Sequence, residues 1–82
     1  MAERNTYKYE LKQGNKVVYV GISDDPARRE IEHRRDKDFG KMVIVGNKST
    51  RESAKDWEDR RIETYMNNHG GETPKYNKTE AG

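Results

Sequence analysis

Lys16-Val17-Val18-Tyr19-Val20-Gly21 is the stretch on which the fold turns. Its β-branched and aromatic residues suit a pleated, packed strand better than a helix. The closing glycine lets the backbone bend or lets another group come close. Upstream, Tyr7, Tyr9 and Leu11 alternate with Thr6, Lys8 and Glu10, the period of a second strand. Gln13-Gly14-Asn15 between them reads as a turn, so the two runs form an antiparallel hairpin with these three residues at its tip. That register sets Tyr9 near Tyr19 on one side of the hairpin. On the second strand, Val17 and Tyr19 would share one face, and Val18 and Val20 the other.

Downstream, Ser23-Asp24-Asp25-Pro26 is a helix start: an Asp caps the free N–H groups and proline suits the first helical position. The helix should run from about Pro26 to Arg35. Ala27 and Ile31 lie together on it and are expected to face the core, with Arg29 and His33 as neighbours on another side. Lys41 to Gly46 reads as a third strand, and its unbroken run Met42-Val43-Ile44-Val45 suggests cover on both faces. Ser49-Thr50-Arg51-Glu52 matches a capping box with Ser49 as cap. The second helix then runs to about Asn67, ended by Gly70 and Gly71. Ala54, Trp57, the stem of Arg61, Ile62, Tyr65 and Met66 form its apolar stripe, with Glu58 at the edge. The order is β-β-α-β-α, giving an α+β domain: a three-stranded sheet, at least partly antiparallel, with helices packed on it.

Eighty-two residues make one domain, 1–82, with 1–4 and 79–82 expected to fray. With 29% hydrophobic and 39% charged residues, the core must be thin. A chain of this size buries about 60% of its unfolded surface. No cysteine is present, which removes disulfides, thiolate zinc and cysteine nucleophiles and suits a cytoplasmic setting. No apolar run approaches the roughly 20 residues needed to span a bilayer, and no signal peptide is evident, so no membrane partner is expected. The net charge of +2 does not by itself argue for nucleic acid. Taken alone, the tyrosines are ordinary strand residues and the first helix is a solvated face laced with ion pairs.

There is no glycine-rich phosphate loop and no metalloprotease histidine pair. Ser23 lacks an evident base, and His69 lies in a helix-ending loop. What is left is Tyr9, then Tyr19-Val20-Gly21, then Arg29 and His33, then Glu58, then Asn77 after Pro74-Lys75-Tyr76. That series resembles the GIY-YIG endonuclease superfamily over residues 6–78. The first motif appears as Tyr7-Lys8-Tyr9, without its glycine and isoleucine but with the final tyrosine. The second appears as Tyr19-Val20-Gly21. Ile22 stands where some relatives carry a lysine.

The resemblance implies a metal-dependent endonuclease, a hydrolase of DNA phosphodiester bonds. Tyr9, Tyr19, Arg29, His33, Glu58 and Asn77 would be its catalytic residues. Glu58 would be the metal-binding carboxylate for Mg²⁺ or Mn²⁺, because Mg²⁺ needs few carboxylates when waters and substrate oxygens complete its shell. Either Tyr19 or Tyr9 would take the proton of the attacking water, and its phenolate would have to be favoured by Arg29 or the metal. His33 would position the phosphate or relay protons, and Asn77 would orient a tyrosine or a substrate group. Arg28, Arg34 and Arg35 on the same face, extended by Lys75 and Lys78, would hold duplex or branched DNA without reading sequence. A protein partner or a homodimer would supply specificity. The rival reading is a nucleic-acid-binding module that keeps the fold and does not cut.

Overall fold

The computed structural model describes residues 4–77. Strand β1 (Tyr7–Gln13) pairs antiparallel with β2 (Lys16–Ser23) and, on its other side, with β3 (Lys41–Ile44). The order across the sheet is β2-β1-β3, so β1, which carries Tyr9, is the central strand. Helix α1 (Pro26–Asp36) follows β2, and helix α2 (Arg51–Asn68) follows β3. The β-β-α-β-α order and the α+β class are those expected from the sequence.

The hairpin is tighter than expected. Gln13 faces Lys16, so the loop is the two residues Gly14 and Asn15. Gly14 supplies the positive φ of 65° that such a loop needs at its first position. Tyr9 pairs with Gly21 and Leu11 with Tyr19, after which the register slips: Lys12 opposes Val17 and Val18 is left over. This extra residue is a β-bulge, and it breaks the simple alternation along β2. Val18 joins Tyr9, Leu11 and Phe39 in one cluster, against which Tyr19, Met42 and Tyr76 pack. Val17 and Val20 pack instead with Tyr65, Trp57 and Ile62 of α2. The expected pairing of Val17 with Tyr19 on one face, and of Val18 with Val20 on the other, is therefore overturned by the bulge.

Each face of the sheet has its own helix. His33 of α1 touches Tyr9 and Tyr19 on one face, and Tyr65 and Arg61 of α2 reach Val17, Val20 and Glu10 on the other. The Glu10 carboxylate is buried and paired with the Arg61 Nε at 2.5 Å. Arg61 thus brings its charged head to the sheet, not only its stem.

Three local expectations change. The α1 cap is as read, with Asp25 accepting from the Arg28 N–H at 3.2 Å, but the helix is turned differently. Ile31 is 61% exposed and Ala27 is exposed, while His33 is 4% exposed. The inward stripe is Pro26, Arg29, Glu30, His33 and Lys37, a helical repeat made mostly of polar residues. Strand β3 stops at Ile44 and is an edge strand, so Lys41 and Ile44 are exposed rather than covered. The cap of α2 is Thr50, whose hydroxyl accepts from the Ser53 N–H at 3.1 Å. Ser49 is already engaged, its N–H and C=O exchanged with Thr6 at 2.8 and 2.9 Å.

Candidate active site

Tyr9 sits mid-strand at the centre of the sheet, fully buried, directly opposite Gly21. A Cβ at Gly21 would lie 2.7 Å from both Cζ and Oη of Tyr9 and 2.7 Å from Cε2 of Tyr19. Glycine is required there because the two phenol rings occupy the space a side chain would take. The rings stand 6.2 Å apart, centroid to centroid, and both approach the His33 ring, at 5.8 Å from Tyr9 and 4.8 Å from Tyr19.

The Tyr9 hydroxyl lies 2.8 Å from Nε2 of His33. Arg29, one turn earlier on α1, donates to Glu32 at 2.9 Å, and its positive charge bears on both phenols. With Nε2 of His33 unprotonated, the Tyr9 hydroxyl donates to it; the other tautomer reverses the bond.

Burial pushes the His33 imidazole down to about 4, helped by the positive charges of Lys37 and Arg29. His33 is neutral at pH 7. Both phenols are shifted upward, first by burial, and for Tyr9 next by repulsion from Tyr19. Arg29 pulls the other way on both and loses to burial. Of the two positive charges expected to favour a phenolate, Arg29 or the metal, Arg29 alone does not suffice: in the free protein both tyrosines are neutral.

Glu58 lies on α2 with its side chain 15% exposed. Its negative charge raises both phenols, as a lesser influence than burial. Its ion-pair partner is Lys55, at 3.0 Å, with a side chain 61% exposed and held only loosely. Among the described residues no group of three or more His, Cys, Asp or Glu stands together as a metal cage. The donor set fits a hard cation that takes one protein carboxylate and fills its shell with water and substrate oxygens.

The Asn77 side chain hydrogen-bonds the backbone of Val20 rather than either tyrosine. Its side-chain amide pairs with the backbone of Val20 twice: Oδ1 accepts from the N–H at 2.8 Å, and Nδ2 donates to the C=O at 3.1 Å. The Tyr76 N–H donates to the Val18 C=O at 2.8 Å. Together residues 74–77 form a strap along the open edge of β2, anchored by buried Pro74. Asn77 is thus a positioning residue for Tyr19-Val20-Gly21.

Compared with protein-family models, curated proteins and solved structures, the chain matches none of them.

The basic residues are not gathered as expected. Arg28 and Arg35, seven apart, share the exposed face of α1 with Ile31, away from Arg29 and His33. Arg28 pairs with Glu32 at 3.6 Å. Arg34 is tied into the fold: it pairs with Glu30 at 2.9 Å, donates to the C=O groups of Phe39 and Gly40, and lies 4.4 Å over the Phe39 ring. Lys75 is exposed with its ammonium 5.2 Å from the Tyr76 ring, and Lys78 lies outside the described residues. Sequence reading missed Lys37, whose ammonium lies 5.2 Å over the Tyr19 ring. Its spacing from His33, one turn on, was the available signal; a lysine at a helix end is ordinarily read as solvent-facing. No helix among the described residues is long and apolar enough to cross a membrane.

Proposed function

We propose that the protein is a metal-dependent endonuclease of the GIY-YIG type that hydrolyses DNA phosphodiester bonds. The observation that carries this reading is the 2.8 Å contact between the Tyr9 hydroxyl and the buried, neutral His33, with the charge of Arg29 bearing on the same phenol. A binding surface has no need of a buried phenol–imidazole pair.

The pair acts as a base without a phenolate. A water attacking phosphorus gives its proton to the Tyr9 oxygen while the Tyr9 proton passes to Nε2 of His33. The P–O3′ bond breaks, leaving a 5′ phosphate and a 3′ oxyanion that takes its proton from solvent water. An imidazole held near 4 in the free protein gains basicity as negative charge builds on the phosphoryl oxygens beside it. Arg29 neutralises those oxygens with planar, fixed donors. Glu58 would hold Mg²⁺ or Mn²⁺, whose contribution when bound is charge stabilisation at the departing 3′ oxygen. Tyr19 packs against both Tyr9 and His33 and keeps the pair aligned. Specificity would come from a protein partner or a second copy.

The test is incubation of the purified chain with supercoiled plasmid, branched DNA and structured RNA, with and without Mg²⁺ or Mn²⁺. Metal-dependent cutting that is lost in both Arg29→Ala and Glu58→Gln supports the reading. DNA affinity without cutting under any metal selects the non-cleaving binding module instead.

A further inference from the structure

Of the described cations on α1 and its cap, only Arg29 and Lys37 are not exposed. Lysine normally keeps its ammonium in water. Here the Lys37 side chain is only 15% exposed, although its ion-pair partner Asp36, at 3.3 Å, is 70% exposed. The ammonium sits between two aromatic faces, 5.2 Å from the Tyr19 ring and 5.9 Å from the Tyr76 ring, both within cation–π range. Neither ring is loose. Tyr19 leans on His33 at 4.8 Å. Tyr76 accepts a hydrogen bond from the Asp38 N–H at 2.9 Å and gives its own N–H to Val18. Lys37 is fixed in turn, since its N–H donates to the His33 C=O at 2.8 Å.

We propose that Lys37 is a positioning residue of the site, clamping the Tyr19 ring between the strap and His33 and placing a second permanent positive charge beside Arg29. The catalytic half of this inference rests on the endonuclease reading above; the structural half does not. The charged and titratable groups that face His33 are Arg29, Glu32, Asp36 and Lys37 from α1, Tyr9 from β1 and Tyr19 from β2. After burial, Lys37 is the largest influence holding the imidazole neutral, ahead of Arg29, while Asp36 and Glu32 oppose both. Lys37 therefore adds to burial in disfavouring a proton on His33.

The experiment compares the parent chain with Lys37→Met, which keeps the stem without the charge, and Lys37→Arg, which keeps the charge. Should Lys37→Met fail to fold, Lys37→Gln carries the same test. Two readouts are taken: the NMR titration of His33 with the Tyr19 ring resonances, and the pH–rate profile of metal-dependent plasmid cutting. In Lys37→Met we expect His33 to titrate about half a pH unit or more higher and the Tyr19 ring signals to move. We expect kcat to fall about tenfold with KM nearly unchanged, and the acid limb of the profile to move up with His33. Lys37→Arg should restore both. An unchanged His33 titration with unchanged Tyr19 signals in the folded variant overturns the proposal, as does a rise in KM with kcat and the acid limb intact. If the parent cuts nothing under any metal, the endonuclease reading fails, while the His33 titration still decides the clamp.

Discussion

Gly21 lies under the Tyr9 phenol so closely that an added methyl group would stand 2.7 Å from its oxygen. The two residues face each other across the β1–β2 ladder, so neither can move without the sheet. Gly21→Ala should therefore displace both phenols. Overpacking at a rigid site costs about 1–3 kcal/mol. We expect the denaturant midpoint to fall accordingly, with cutting reduced at least about a hundredfold through misplacement of Tyr9. A Gly21→Ala protein of parental stability and activity would show that the rings have room to yield.

His33 makes stability depend on pH in a set direction. Its folded value of about 4 lies below the ordinary 6.5, so between these values the unfolded chain binds more protons. Stability should be fully present above about pH 6.5 and should decline as pH falls toward 4. The loss at its extreme is roughly 3 kcal/mol. Urea titrations from pH 4 to 7 measure it, and His33→Gln should flatten the slope across that window. A slope that survives the substitution would locate the effect elsewhere.

On the opposite face, Arg61 is the partner of the buried Glu10 carboxylate. Removing one member of such a pair strands the other. Arg61 is partly exposed, so water softens the effect. Arg61→Leu should cost about 2–4 kcal/mol, and adding Glu10→Leu should recover much of it. Chemical denaturation of the two variants reads the difference. A double variant no more stable than the single one would mean that the stem of Arg61, not its charge, holds α2 to the sheet.

Much of this architecture was legible before any coordinates. The two strands, the Asp25-Pro26 helix start and most of the apolar stripe of α2 follow from short-range rules and form, although β2 runs on through Gly21 to Ser23 and Arg61 gives the sheet its charged head as well as its stem. The register of the hairpin was not legible, because nothing in Lys16-Val17-Val18-Tyr19-Val20 marks Val18 as the residue left over. The rotation of α1 was misread for a physical reason. A hydrophobic pattern assumes that apolar residues face inward, but here a polar stripe of Arg29 and His33 is turned to the tyrosines, and Ile31 is left in water. The capping pattern at Ser49 is local and carries no sign of its actual backbone partner, Thr6. The company of Tyr9, Tyr19, Arg29 and His33 was suggested by order along the chain. The place of Lys37 could come only from three dimensions.

Asn77→Ala should release the edge of β2. Two hydrogen bonds to Val20 are lost, each worth about 0.5–1.5 kcal/mol. Amide exchange at Val20 and Tyr76 should quicken, while the Tyr9–His33 contact on the interior strand persists. Cutting should fall through loss of Tyr19 alignment rather than through loss of metal dependence. Unaltered exchange at both amides would show that Pro74 and Tyr76 suffice to hold the strap.

The Asn77 side chain serves Val20 as a stand-in for a neighbouring strand, supplied from 57 residues further along the chain. Synthesis runs from the N-terminus, so a nascent polypeptide carries its hairpin tyrosines well before the residue that braces them. Until translation passes position 77, that flank of the hairpin has no brace, and the alignment it gives Tyr19 is added last.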